Sequence, residues 1–456
     1  MIMQDMYGCE VTTSESASAW DAVLKGFLSH ANSTGADLSK ALDCDPGFAL
    51  AHACKGLFSL LLARRELDPV IKGSLEAAHK SDQENPVTER ERYYIRALEA
   101  WVNGKSVQAI YEMEQVLVVW PYDPLAMKLS HAIRFMLGDL KGMRSSLENI
   151  MHVYGGHPAE GYFNGCYAFT LEETGEYLLA EKRGRQALEL APDDAWGLHA
   201  VTHVFDMTGR AADGLEWITG KEAAWEHCNN FRYHVWWHIA LMHLDLGNYE
   251  KVLELYDDYF RKDKTDDYRD ISNATSVLLR LEFEKIEVGS RWEELAELAA
   301  GRTQDNCLAF ADLHYMMALC NSQNTELAGR LISNMSSCAD RYHHNEMTAA
   351  IEHPGVIAAR GLEAYRDQDF ALAVQCLAKA RPDMQAIGGS HAQRDIFERL
   401  GIEAAFRAGL PRHAGELLRA RDLHRGYQDG YSLSRWTALD DALQENTKSI
   451  ATPNAA

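Results

Sequence analysis

Two pairs of histidines in the middle of the chain, His199 with His203 and His234 with His238, stand four residues apart. Residues i and i+4 lie on one face of an α-helix, so each pair can present two imidazoles to the same point. Imidazole is a common zinc ligand, and two such helices that converge would complete a four-ligand site. The segments HAVTH and HVWWH lack the glutamate of the zinc-protease motif HExxH, so neither is that motif. The pattern therefore predicts no cofactor but leaves a divalent metal open, with His199 and His203 as candidate ligands.

Acid–base catalysis is a second chemistry open to the same residues. Histidine titrates near neutral pH, and a neighbouring carboxylate fixes its tautomer and raises its pKa. Asp206 follows His203 by three residues, and Glu172 could approach from the preceding helix pair. No nucleophile stands out, since Cys166 and Cys228 have no motif around them. The candidate catalytic residues are His199, His203, Asp206 and His238.

Helical hairpins are the elements that must position these side chains. Gly175, Gly209 and Gly247 each lie in a short turn between two helical patterns, and the first two are 34 residues apart. Apolar residues between the turns recur at helical spacing, and no run of alternating strands is found. The sequence predicts an all-α, tetratricopeptide-like α-solenoid, a right-handed superhelix of antiparallel helix pairs.

One unit matches the tetratricopeptide pattern in detail. Ala168, Ala180 and Ala187 occupy its small-residue positions, where two helices approach closely, and Pro192 occupies the position that stops the second helix. Because the pattern recurs along nearly the entire chain, we expect a single superhelical domain over residues 21–440. Residues 1–20 are expected to be partly ordered, and residues 441–456 to form a tail that is disordered at its end.

The repeat also assigns a face to each candidate residue. The first helix of each unit lines the concave groove at positions three or four residues apart, and a solenoid commonly binds its ligand there. Three successive first helices contribute residues to the groove face. They are Tyr162, Phe169 and Glu172 from one helix, Trp196, His199, His203 and Asp206 from the next, and His234 and Trp237 from the third, where His238 lies beside this face. His131 and His243 fall at packing positions, so we expect them inside the helix packing.

Two positions outside this patch are further candidates for the ligand site. His314 follows Asp312 by two residues and is expected to reach the groove. The helix start GGSHAQRDIF carries His391 and Arg394 beside Ser390, a residue suited to cap a helix. Such a start can receive an anion, or it can be an ordinary capped helix.

Composition limits the functions that this chain can serve. The 456 residues include nine scattered cysteines and carry a formal charge of −22. Unpaired cysteines indicate a reducing cytoplasm, and the acidic balance argues against a nucleic-acid partner. No apolar run is long enough to span a membrane. A homo-oligomer is left open.

Several stretches resemble the tetratricopeptide repeat protein 38 family, and the chain resembles a bacterial-type homologue of that family. They are DAWGLHAVTHVFDM, HVWWHIALMHLDLGNYEKVLELYD, LVVWPYDPLAMKLSHAIRFMLGD and GGSHAQRDIF. The similarity covers nearly the whole chain, to about residue 425. It implies a soluble, cytoplasmic α-solenoid, and it implies no reaction.

Two functions are consistent with the sequence. The first is a cytoplasmic protein that binds a small molecule or a peptide in a groove lined by histidine, tryptophan and aspartate. The alternative is an enzyme (a hydrolase, lyase or isomerase) that uses the same residues for acid–base or metal-assisted chemistry. An enzyme needs polar side chains that converge on one buried point, whereas a peptide groove needs anchors spread along an open channel.

Overall fold

The protein folds into α-helices arranged in antiparallel pairs, which confirms the predicted tetratricopeptide-like fold class. A computed structural model describes residues 2–13, 15–85, 87–322, 324–338, 340 and 345–451. Within these ranges no helix combines the length and apolar character needed to cross a membrane.

The helices of the first half begin after a short antiparallel ladder of β1 (Met3–Gln4) and β2 (Glu10–Val11). They are α1 (Ala17–Ser29), α2 (Thr34–Cys44), α3 (Ala49–Leu60), α4 (Asp68–Glu84), α5 (Glu89–Val102), α6 (Ser106–Val119), α7 (Pro124–Met136), α8 (Leu140–Ile150), α9 (Glu160–Glu173), α10 (Tyr177–Leu190), α11 (Ala195–Met207) and α12 (Ala211–Ile218).

The helices of the second half continue the same pairing. They are α13 (Phe231–Asp245), α14 (Tyr249–Leu255), α15 (Tyr268–Phe283), α16 (Arg291–Ala300), α17 (Ala309–Asn321), α18 (Thr325–Ser336), α19 (Glu346–Ala350), α20 (Val356–Arg366), α21 (Phe370–Ala380), α22 (His391–Arg407), α23 (Pro411–Arg425) and α24 (Gly430–Ala451). Short 3₁₀ turns at Arg65–Leu67, Met151–Val153, Glu222–Ala224 and Arg381–Ile387, and π turns at Tyr256–Phe260 and Ile351–Gly355, connect or extend them.

The predicted turn glycines end the first helix of their pairs. Gly175, Gly209 and Gly247 have φ values of +85°, +68° and +74°, a left-handed conformation that strains any residue with a Cβ atom. Ala168 and Ala180 are completely buried where α9 packs on α10. Local sequence thus explains each hairpin.

The two ends of the chain contain more regular structure than the sequence indicates. The N-terminal segment forms the β1–β2 ladder, and Trp20 of α1 is completely buried. Residues 441–451, expected in the tail, continue the helix α24. The last part of the predicted tail, residues 452–456, lies outside the described residues.

The superhelix closes on itself, because residues about 200 positions apart meet across it. These contacts join Ser29 with His227, Arg64 with Asp266, Gly138 with Gln385, Glu172 with His391, and Asp206 with Arg425, at separations of 198–247 residues. The second turn of the superhelix therefore packs onto the first and encloses the concave face of α9, α11 and α13.

Candidate functional site

Four histidines from α11 and α13 meet at one point inside the superhelix. His199 Nε2 lies 2.9 Å from His203 Nε2 and 3.0 Å from His234 Nε2, and His234 Nε2 lies 3.2 Å from His238 Nε2. All four side chains are buried. The two i, i+4 pairs singled out from the sequence thus point toward each other from neighbouring helices.

These contacts between the four imidazoles cannot all be hydrogen bonds. The Nε2 atom of a neutral imidazole carries either one proton or one lone pair, so it forms one well-aligned hydrogen bond. Four such atoms make at most two bonds, yet three close contacts connect them. At least one of the three contacts is therefore not a well-aligned hydrogen bond.

Three of these histidines, His199, His234 and His238, are held in the neutral form, which is the form that binds metal ions. Burial lowers the pKa of His199 and of His238 well below the usual range, and it lowers the pKa of His234 to about 3. The neighbouring imidazoles lower the pKa of His199 and His238 further.

The Nδ1 atoms of two of these histidines face polar groups outside the cluster. His203 Nδ1 lies 3.3 Å from Glu172 Oε2, and His234 Nδ1 lies 3.0 Å from Asn273 Oδ1. In metal sites, groups in these positions hold the proton on Nδ1 and direct the Nε2 lone pair to the metal. Glu172 was expected to approach from the preceding helix pair, whereas nothing in the sequence indicated Asn273.

A carboxylate pair links this cluster to the second turn of the superhelix. Glu172 Oε1 lies 2.6 Å from His391 Nε2, and Glu173 Oε1 lies 3.4 Å from His391 Nδ1. Burial alone would raise the pKa of Glu172. The neighbouring His391 and His203 outweigh burial and lower this pKa to about 2. Glu172 and Glu173 in turn raise the pKa of His391 to about 9. His391 is therefore an imidazolium ion at neutral pH.

The start of α22 is both a capped helix and an anion site. Ser390 and Gln393 form a capping box, and the His391 amide donates a hydrogen bond of 3.1 Å to Glu173. Arg394 lies 3.7 Å from the same carboxylate. The anion received here is the chain's own Glu173, a residue that sequence reasoning did not single out, although it stands next to Glu172.

Aromatic rings surround the histidine cluster. The Phe169 ring lies 4.7 Å from Trp196 and 5.6 Å from His199, measured between ring centroids, and Trp237 stacks on His234 at 5.1 Å. Phe231 lies 5.2 Å from His199, and no signal in the sequence singled it out. These apolar rings keep water away from the imidazoles.

Three of the expected site residues lie elsewhere. Asp206, expected beside His203, accepts a hydrogen bond of 3.0 Å from Arg425, and Glu172 takes the place beside His203. Tyr162 donates to Asp193 at 2.8 Å.

His314 is the third of these residues and is a core histidine. Its Nδ1 lies 2.7 Å from the carbonyl oxygen of Phe310, one turn earlier in α17, and its ring packs on Phe397.

The two cysteines considered as nucleophiles are poor ones, because burial raises the pKa of Cys166 to about 11 and that of Cys228 to about 12.

Comparisons with known proteins do not assign a ligand. No protein-family model matches the chain. The human IFIT1 dimer with m7Gppp-AAAA shares 15% sequence identity over 89% of this chain and 90% of that chain, with a TM-score of 0.36. Yeast Tom70 shares 11% identity over 96% and 99%, with a TM-score of 0.31. The expected exclusion of nucleic acid stays a prediction.

Proposed function

We propose that this chain is a metalloprotein that holds one divalent transition-metal ion on the Nε2 atoms of His199, His203, His234 and His238. The observation that carries the proposal is the set of three close nitrogen contacts, of which hydrogen bonding explains at most two. A cation at the centre would accept every lone pair and remove the conflict. The proposal takes the chain as a member of the tetratricopeptide repeat protein 38 family with a cytoplasmic location.

The donor set and its spacing fit such an ion. Metal–imidazole bonds of about 2.0–2.1 Å separate neighbouring ligand nitrogens by about 2.9 Å at right angles and about 3.3 Å in a tetrahedron. The nitrogen contacts here are 2.9–3.2 Å. Imidazole suits Zn²⁺, Cu²⁺, Fe²⁺ and Ni²⁺, whereas Ca²⁺ and Mg²⁺ prefer oxygen.

A small molecule, and not a peptide, is the ligand class that this site favours. His199, His203 and His238 are each no more than 2% exposed, and the second superhelical turn covers them. An enclosed point with converging polar groups suits a small molecule, whereas a peptide needs an open channel.

Metal-assisted catalysis is the second candidate, and the Glu172–His391 pair favours it. His391 carries a proton at neutral pH, and its ring centroid lies 5.7 Å from that of the ligand His203. A bound metal would supply Lewis-acid chemistry, and His391 is the group placed to donate a proton beside it. A hydrolase, lyase or isomerase would use these groups.

Elemental analysis of the purified, untagged protein tests the proposal. We expect an equimolar transition metal in the wild type and its loss in the double variant His199→Ala, His203→Ala. His243→Ala is the matched control, because His243 lies on α13 but, among the described residues, its ring bonds Asn248 at 3.3 Å and none of the four histidines. Replacement of the metal by Co²⁺ should give visible absorption bands typical of nitrogen ligands. A wild type that takes up no metal, or a double variant that retains it, would refute the proposal.

A further inference from the structure

A buried lysine lies beside the histidine cluster without a carboxylate partner. Lys128 of α7 is 4% exposed, and its Nζ lies 3.6 Å from Cys166 Sγ and 4.9 Å from the centroid of the Trp196 ring. Within the described ranges, no Asp or Glu oxygen approaches this nitrogen within 4.0 Å. A buried charge without a counter-charge is strongly destabilising, so a ligand that supplies the counter-charge would stabilise this interior.

Three buried imidazole nitrogens around the same tryptophan, and the indole nitrogen of that tryptophan, have no hydrogen-bond partner among the described residues. They are both ring nitrogens of His131, Nε2 of His30 and Nε1 of Trp196. The centroids of the His30 and His131 rings lie 5.5 Å and 5.7 Å from that of Trp196. Most buried polar atoms in proteins have a partner, so a group of unpartnered ones in one place indicates a ligand or ordered water.

The nearby acidic group does not neutralise Lys128 directly. Asp194 caps α11, where its carboxylate accepts the Gly197 amide at 3.1 Å. Burial raises the pKa of Asp194 to about 7 even though the nearby Lys128 charge lowers it, so this carboxyl is protonated in part of the molecules at neutral pH. The excess of positive charge and of N–H donors around Trp196 therefore remains.

We propose that Lys128, His30, His131 and Trp196 bind the carboxylate group of a small organic molecule. The ammonium of Lys128 would neutralise the carboxylate, and the indole and imidazole N–H groups would donate hydrogen bonds to its oxygens. Trp196 also packs on His199, with 5.1 Å between ring centroids, so this site adjoins the histidine cluster. The inference goes beyond the proposed function and does not depend on it, because it rests on other atoms.

Calorimetric titration with sodium acetate and with sodium benzoate tests this site directly. We expect at least one of them to bind the wild type and to bind Lys128→Met at least 10-fold more weakly. Lys25→Met is the matched control, since Lys25 has a side chain that is 59% exposed and should not affect binding. Without added carboxylate, Lys128→Met should melt at the same temperature as the wild type or higher, because the unpaired charge is gone.

A second variant and a metal assay keep the outcomes distinct. Trp196→Phe removes the indole N–H and keeps an aromatic ring, and it should weaken carboxylate binding several-fold. If neither carboxylate binds the wild type, or if both bind Lys128→Met as tightly as the wild type, the proposal is overturned. Carboxylate binding that depends on Lys128 in a protein without metal would refute the metal centre and leave this site in place.

Discussion

Replacement of Glu172 by glutamine tests the metal centre through a residue outside the four proposed ligands. Glu172 faces Nδ1 of His203 at 3.3 Å and binds His391 at 2.6 Å. Its negative charge favours the tautomer of His203 that carries the proton on Nδ1, which leaves the Nε2 lone pair free for the metal. Glutamine has nearly the same shape, but its uncharged oxygen is a weaker acceptor.

The expected loss is in metal affinity. Groups that orient a metal ligand in this way typically contribute 10- to 100-fold to affinity, which is about 1.4–2.7 kcal/mol. Glu173→Gln provides the control, since Glu173 is buried on the same helix and contacts His391 and Arg394. We expect that variant to change metal affinity by less than about 3-fold, because nothing it loses touches the four ligands.

Competition with a chromophoric chelator at pH 7.5, on protein stripped of metal and reloaded with Zn²⁺, gives both affinities. Thermal melting of the metal-free variants shows whether each is folded. If Glu172→Gln binds Zn²⁺ as tightly as the wild type, Glu172 does not orient His203. Equal losses of Zn²⁺ affinity in Glu172→Gln and Glu173→Gln would show a general effect of negative charge. They would refute a specific role for the contact between Glu172 and His203.

Three further predictions concern the pH dependence of stability, a buried charge, and Asp206, which was expected in the histidine site but lies outside it. Burial raises the pKa of Asp312 to about 8, so the native state holds a proton that the unfolded chain releases near pH 4, and stability falls as pH rises between these values. In urea denaturation, the free energy of unfolding of Asp312→Asn relative to that of the wild type should therefore rise by about 2 kcal/mol from pH 6 to pH 8. The same difference between variant and wild type at both pH values would contradict this. Arg421→Met leaves buried Asp395 without its 2.6 Å partner and should lower the free energy of unfolding by about 3–5 kcal/mol; a loss below about 1 kcal/mol in the same assay counts against it. Asp206→Asn weakens the contact with Arg425 and should lower the melting temperature while metal content stays at the wild-type level. Loss of metal in this variant would show that Asp206 contributes to the metal site.

The helical hairpins and the histidine faces could be predicted because both depend on local periodicity. A left-handed glycine at Gly209 fixes where α11 ends, and counting back from it places Trp196, His199 and His203 on one face. The same count placed Asp206 on that face. It failed there because Asp206 lies at the last turn of α11, where Arg425 from the second superhelical turn reaches it.

Closure of the superhelix could not be predicted from the same signals. Whether residue 391 meets residue 172 depends on small rotations between successive helix pairs, which add up over the 219 residues that separate them. No motif encodes that sum. The sequence therefore indicated that His391 could receive an anion, but it gave no sign that the anion would be Glu173 or that Glu172 would bind the ring.

The charges inside the closed superhelix connect the two proposed sites. The carboxylates of Glu172 and Glu173 are matched by the His391 imidazolium and the Arg394 guanidinium, and the neutral imidazoles of His199, His234 and His238 add no charge. A divalent cation on those imidazoles therefore leaves an excess of positive charge, to which Lys128 adds. An anionic ligand between Lys128 and Trp196 offsets this excess in a low-dielectric interior, where such attraction is strong. Metal and carboxylate should therefore each raise the affinity for the other by the same factor, as linkage requires.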